Sequence, residues 1–430
     1  MKKIAILLTL MTFPALIFSA ARNETSSSTS ASNYLRLAWW GNTTRDARTN
    51  EVARLFMQKN PGVTIETEPT NWDGYWPKLA TQAASGSLPD VMQQDYMYIG
   101  QWNDRNQLLD LTPYIQNGTI NLSNWADSAV ASGRLGSKLI ALNLGVNAWG
   151  MGVDPAILRQ AGITIDDTTW TWADFERIAI EIFQKTGMQT MPPNEFHQIL
   201  EHIVRQTGGS FFAADNKSLG WTNNSAAVKD NLDMWMRIKA AGALFDPEEG
   251  FLLGLAMEEG PIARGKTWNS YYWSNQHIGT LNAAKRPLDY IMFPNLSASK
   301  PPKYGAYLKP GQFISIVATT QNPDLAAKLV NFIINDLEAN RILLAERGVP
   351  VPSDVLQDLS GRVDADTKYI FDYITKVTPY TSPIDPPDAS AGGEVRDVIR
   401  PILLSCLKGD LGTAAAVTQM IQAANRVLSR

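Results

Sequence analysis

Between Tyr34 and Ile65 the hydrophobic period of the chain changes twice, and few folds accept that order. Leu35-Arg-Leu-Ala-Trp-Trp40 reads as a strand, and Thr43 to Lys59 reads as a helix with Val52, Leu55 and Phe56 on one face. The Asn60-Pro-Gly62 turn then leads into Val63-Thr-Ile65, which alternates as a strand does. A β-α-β start of this kind predicts the α/β class, with largely parallel sheets that bind ligands at the carboxyl ends of their strands.

Later segments repeat the alternation. Thr171 followed by Asp174 is a helix-start signature, and Phe175, Ile178, Ala179, Ile182 and Phe183 then form one stripe that Gly187 stops. Asn322-Pro323 opens a helix whose Leu325, Leu329, Val330, Ile333 and Ile334 face inward. Strands are expected at Asp90 to Met92, Tyr290 to Phe293 and Phe313 to Val317. The 430 residues predict two or three domains, yet no linker or internal repeat stands out. Leu142-Asn-Leu-Gly-Val-Asn147 and Leu308-Lys-Pro-Gly-Gln312 are extended segments, short of helix formers, at which the chain could cross between lobes.

Composition removes several kinds of chemistry. One Cys, Cys406, in an apolar helical pattern allows no intramolecular disulfide and no Cys-cluster metal site. His197 and His202, five apart, are poorly spaced to share a metal on a helix, and the third His is His277. No cofactor is expected. Charged residues are 19% of the chain, with a formal net charge of −4, which argues against a nucleic-acid partner. Thirteen Trp against three His instead give a chain poor in proton-transfer groups and rich in amphipathic ring surface.

Lys2 and Lys3 precede a mostly apolar run from Ile4 to Phe18 and the small residues Ser19, Ala20 and Ala21, a pattern that predicts a secretion signal over 1–21. Residues 22–33 form a Ser/Thr-rich tether. Phe18-Ser-Ala-Ala21 resembles a bacterial lipoprotein signal with Ala21 where the lipidated Cys would stand, so a soluble periplasmic or secreted protein is expected, without a lipid anchor.

The rings gather in four segments read as loop-like: Trp39-Trp40-Gly-Asn42, Asn71-Trp-Asp-Gly-Tyr-Trp76, Gln94-Asp-Tyr96 and Asn269-Ser-Tyr-Tyr-Trp-Ser-Asn275. Each sets a ring beside an Asn, Asp or Gln. A sugar needs that pairing, because a ring covers its C–H face while carboxylates and amides meet its hydroxyls. Any one Trp could equally fill a core; the repetition points to a ligand site.

Trp40-Gly, the Asn60-Pro-Gly62 turn, Leu79-Ala-Thr-Gln82 before Gly86-Ser-Leu-Pro-Asp-Val91, and Leu108-Leu-Asp-Leu-Thr-Pro-Tyr-Ile115 resemble the solute-binding proteins of ABC-type sugar importers. The resemblance is to extracellular solute-binding protein family 1, the group containing maltose-binding protein. It continues through Trp172-Ala-Asp-Phe175, Ser315 to Ala318, Asn322-Pro-Asp-Leu-Ala-Ala-Lys328 and Arg347-Gly-Val-Pro350. It implies a two-lobed periplasmic-binding-protein fold with discontinuous lobes and a hinge. One lobe would span 34–143 plus 312–345, the other 147–308 plus 346–430. It also implies closure over a carbohydrate, with the ligand contacts expected by matching position at Trp40, Asn42, Trp72, Asp73, Gln94 and Asp95 from the first lobe, Asn147 and Gln312 at the crossings, and Tyr272, Trp273 and Asp385 from the second. Arg45 would matter for an acidic sugar, although a solvated arginine at the helix start is its simpler reading. Of the remaining rings, Trp235 and Trp102 fit core stripes. The partners implied are ABC permease subunits in the membrane, and the protein is expected to be monomeric and not an enzyme. The competing class is a secreted glycoside hydrolase, for which Asp73 and Asp95 are the carboxylate pair available in the first lobe. Metal, phosphate-ester and peptide ligands are less well served by these residues.

Overall fold

The computed structural model describes residues 33–41, 43–193, 196–250, 259–301, 303–386, 389 and 391–430. The expected signal over 1–21 and tether residues 22–32 lie outside the described residues. The strands are β1 (Tyr34–Trp40), β2 (Thr64–Thr70), β3 (Val91–Gln94), β4 (Arg134–Leu135), β5 (Lys138–Leu139), β6 (Leu142–Val153), β7 (Asn269–Trp273), β8 (Asp289–Ile291) and β9 (Leu308–Ile316). The opening unit forms as its periods predict, with helix α1 (Thr43–Lys59) between β1 and β2. The turn closes through the Val63 amide to the Asn60 carbonyl at 3.1 Å, and Gly62 supplies the left-handed φ of +88°.

The large sheet has the order β2-β1-β3-β9-β6-β7, with β8 also paired to β6. Only β2, β1 and β3 run parallel; β9 pairs antiparallel with both β3 and β6, and β7 and β8 run antiparallel to β6. The expectation of largely parallel sheets is therefore corrected to a mixed sheet. β6 and β9 carry the chain in opposite directions along the same path, so they meet antiparallel.

Alternation along β1 divides its side chains between two cores. Leu35, Leu37 and Trp39 pack with α1 and the helix Pro323–Asn335, while Ala38 and Trp40 enter an aromatic-rich cluster with Tyr75, Met92, Trp102 and Phe313. Two further clusters lie beyond β6. The larger holds Phe175, Trp235, Trp268 and Cys406, and the other is built on Tyr272, Tyr290 and Phe371. β6 begins with Leu142 in the β1–α1 core, passes Val146 and Ala148 through the tyrosine cluster, and ends with Met151 and Val153 in the largest core. β9 returns, from Leu308 in the tyrosine cluster to Ile314 and Ile316 beside β1. Both extended crossing segments are thus strands, and Val349 joins them as a third passage through amide–carbonyl bonds to Val146 of 2.9 and 3.2 Å.

The helix-end signals hold where the side chains satisfy free backbone groups. Thr171 and Asp174 form the reciprocal capping box of helix Trp172–Thr186, and Gly187 ends it at φ +75°. The ring segments are mostly regular structure rather than loop, and in Gln94-Asp-Tyr96 only Asp95 stands between β3 and the helix Tyr96–Asp104. Trp39 and Trp40 belong to β1, Asn269–Trp273 is β7, and Trp72 to Trp76 form the first turns of helix α2 (Trp72–Ala84). Asn71 caps α2 by accepting from the Gly74 amide at 2.8 Å.

Candidate functional site

Where the three passages meet, a cleft of about 560 Å³ opens, within the ~300–1,000 Å³ typical of small-ligand sites. Each wall is set by an element end. Asp95 follows β3 directly, and its carbonyl starts helix α3 (Tyr96–Asp104) by accepting from the Tyr98 and Ile99 amides, both at 3.0 Å. Tyr96 stacks against Phe313 of β9 with ring centroids 6.1 Å apart, and its hydroxyl donates to the Asp385 carbonyl. Trp273 ends β7 opposite Trp149 and packs edge-on against it at 5.3 Å. The Trp273 amide donates to Gln276 Oε1 at 2.9 Å, which fixes the turn that follows.

The cleft floor belongs to the crossings. Asn147 of β6 pairs in register with Lys309 of β9, and Asn147 Oδ1 accepts weakly from Ser274 Oγ at 3.4 Å. Gln312 Oε1 is buried with no donor among the described residues. A buried acceptor without a partner is costly, and this one belongs to a residue that lines the cleft.

Charge is organised on one side. Arg45 Nε donates to both Glu346 oxygens, at 3.0 and 2.8 Å, and Arg45 Nη1 donates to the Trp40 carbonyl at 3.0 Å. Arg347 is buried, with Nε on Gln93 Oε1 and Nη2 on Thr49 Oγ1, each at 2.9 Å. Burial, reinforced by the neighbouring Arg45 cation, pushes Arg347 down to about 9, which leaves it charged at neutral pH. Arg45 is therefore a structural tie rather than a solvated residue.

Of the positions expected from sequence, the cleft brings together Arg45, Asp95, Asn147, Trp273 and Gln312. Others lie elsewhere. Trp40 is buried in the aromatic cluster, its ring 5.1 Å from Trp72 and 5.3 Å from Tyr75. Trp72 is 39% exposed on α2. Gln94 is fully buried, and neither of its amide atoms has a partner among the described residues. Tyr272 is buried with its hydroxyl 3.1 Å from His277 Nδ1. Asp385 sits behind the cleft, where Arg205 and Lys303 hold its carboxylate. Asn42 lies outside the described residues, as does the side chain of Asp73. Tyr96, Lys309, Glu346 and Arg347 line the cleft without having been singled out. Tyr96 stands in the Gln94-Asp-Tyr96 run, Lys309 in a crossing segment and Arg347 in the Arg347-Gly-Val-Pro350 run, while Glu346 carried no signal of its own.

Near Asp385, burial pushes the Glu201 carboxyl up to about 7, opposed by the Arg205 cation. A raised folded-state value for an acid means that the unfolded chain releases its proton first as pH rises. Glu201 therefore costs stability progressively between about pH 4.5 and 7. Glu201→Gln is expected to show a melting-temperature gain over wild type that is small at pH 4.5 and grows up to pH 7.5. Calorimetric scans at four pH values check this, and a gain that shrinks with pH would contradict the assignment.

Residues 51–369 match a sequence model of the family described as bacterial extracellular solute-binding protein. A structure of an extracellular solute-binding protein family 1 member from Alicyclobacillus acidocaldarius subsp. acidocaldarius DSM 446 is 26% identical, with a TM-score of 0.83 over 92% of this chain and 98% of that one. A periplasmic oligogalacturonide binding protein from Yersinia enterocolitica shares the fold at 18% identity, with a TM-score of 0.77 over 92% and 99% of the two chains. The lactose-binding protein of Rhizobium radiobacter is 27% identical over 202 residues, 44% of each chain. The chain spans less than half the length of the curated relatives it matches.

Proposed function

This chain belongs to the bacterial extracellular solute-binding protein family, and from that premise we propose that it is the sugar-binding component of an ABC importer. It acts as a soluble monomer in the periplasm or outside the cell, takes an oligosaccharide into the cleft, closes on it and delivers it to the membrane permease. The observation that carries this reading is the company kept by Trp273 at the crossings. An aromatic wall stands beside the amides of Asn147 and Gln312 and the Asp95 carboxylate, in a cleft large enough for a short saccharide.

The reading divides the chain as the sequence does, into lobes at 34–143 plus 312–345 and 147–308 plus 346–430. The passages of β6, β9 and Val349 between separate cores support that division. Bending at these passages would close the cleft, a hinge movement in which water leaves and hydrogen bonds to sugar hydroxyls strengthen. Trp72, exposed at the rim of the first-lobe aromatic cluster, would extend the platform for a longer chain. The family is one of binding proteins, so the glycoside-hydrolase alternative is set aside.

Calorimetry with a panel of oligosaccharides tests the proposal. Saturable binding near micromolar, about −8 kcal/mol, is expected, with a change in Trp fluorescence on closure. Trp273→Ala is expected to weaken the best ligand by roughly 30-fold or more, since central aromatic anchors contribute at least ~2 kcal/mol. If no sugar or polyol binds the wild type, the proposal falls.

A further inference from the structure

We propose that the cleft selects an acidic saccharide, and that Lys309 pairs with its carboxylate. This rests on the saccharide-binding reading and names the ligand class within it. Two of the three cations lining the cleft are already engaged. Arg45 is held by both oxygens of Glu346, and Arg347 by Gln93 and Thr49, with Glu346 also 3.7 Å from its Nη1. Lys309 differs. Its ammonium lies 4.7 Å from the centroid of the Trp273 ring, and no carboxylate pairs with it among the described residues. Among the described residues the cleft's anions are Asp95, which has a partner of its own, and Glu346, so three described cations face two described anions.

The placement matters more than the count. Lys309 stands on β9 directly opposite Asn147 of β6, so its base is fixed by strand pairing, while the ring of Trp273 holds its tip at the cleft wall. A neutral sugar closing over this wall would strand an ammonium away from water and give it no counter-charge. A carboxylate at that point supplies the missing charge-assisted bond while the ring still covers the sugar's C–H face. Trp273 and Lys309 together therefore read the two halves of a uronic acid, its apolar face and its acid group.

The test uses the full chain and three probes of equal length in calorimetry: an oligogalacturonide, its methyl ester and a neutral oligosaccharide. The expected result is at least tenfold tighter binding of the acid than of its ester, with the preference shrinking as salt is raised from 50 to about 500 mM. In Lys309→Met the acid-to-ester ratio is expected to fall at least tenfold, and Lys309→Arg to restore most of it. Thermal melts of each variant separate a folding defect from a binding one. Equal affinity for acid and ester in the wild type, or an unchanged ratio in Lys309→Met, overturns the acidic-ligand inference and leaves sugar binding standing. Absence of binding by any of the three probes and the wider sugar panel removes both.

Discussion

Arg205→Met is expected to lower unfolding free energy by ~3–5 kcal/mol, the cost of breaking a buried ion pair from one side. Arg205 is fully buried on helix Phe196–Gln206, with Nη1 2.6 Å from Asp385 Oδ1. Its Nε donates to the Gly305 carbonyl at 3.0 Å, and its Nη2 to the carbonyls of Ser382 and Pro383 at 3.3 and 2.9 Å. The guanidinium also lies 4.9 Å from the Tyr307 ring centroid. Methionine fills much of the volume but leaves three carbonyls without that donor and Asp385 with Lys303 as its remaining cation. Arg205→Lys keeps the charge and loses the planar fork, so an intermediate loss is expected. Because the Asp385 carbonyl receives the hydroxyl of Tyr96, which lines the cleft, ligand affinity should fall along with stability. Urea unfolding followed by Trp fluorescence measures the first effect. A loss below about 1 kcal/mol for the methionine variant would show that this network is not the anchor described.

Gly311→Ala is expected to damage both stability and binding. A Cβ at Gly311 would lie 2.6 Å from the Arg347 carbonyl oxygen and 3.4 Å from both Asn147 Nδ2 and the Gly145 carbonyl oxygen. The nearest of these atoms is backbone, so no rotamer change relieves the contact. The β9 passage must move away from the 345–349 passage instead, at ~1–3 kcal/mol, as for overpacked interiors. Gln312 and Asn147 move with it, so affinity for the best saccharide is expected to fall at least tenfold, about 1.4 kcal/mol. Gly393→Ala serves as the control, since a Cβ there meets nothing within 4 Å. Calorimetry and urea unfolding of the two variants together decide the matter. Wild-type behaviour of Gly311→Ala in both would mean that the passages are not in tight contact.

These two sites also show how far the sequence could be read. Gly311 and Asn147 lie in extended segments, short of helix formers, where the chain could cross, although composition alone would not have identified them as hinges. The Asp385 loop was visible too, but the reason for its importance was not. Its partner Arg205 is 180 positions away, and nothing in local spacing announces that pairing. Trp39 and Trp40 show a different limit. Period-2 alternation sends neighbouring rings to opposite faces of β1, and only the packing of helices reveals that both faces are covered. Trp72 to Trp76 read as loop because Gly74 and Pro77 depress helix propensity, yet Asn71 caps the segment and the aromatic cluster buries one side of it.

What the sequence by itself determined was everything that acts over a few residues: the β-α-β opening, the Thr171–Asp174 cap, the Gly62 and Gly187 turns, and a side-chain inventory rich in rings and poor in thiols and imidazoles. From these followed the α/β class and the resemblance that led to the family. The tertiary structure alone decided which polar groups share the cleft. Arg45 is neutralised by Glu346, Arg347 is buried against Gln93, and Lys309 rests on Trp273, pairs separated along the chain by 301, 254 and 36 positions. Charge and desolvation act through distance in space, so a cation's availability to a ligand depends on what folding has placed beside it, and chain position carries no record of that.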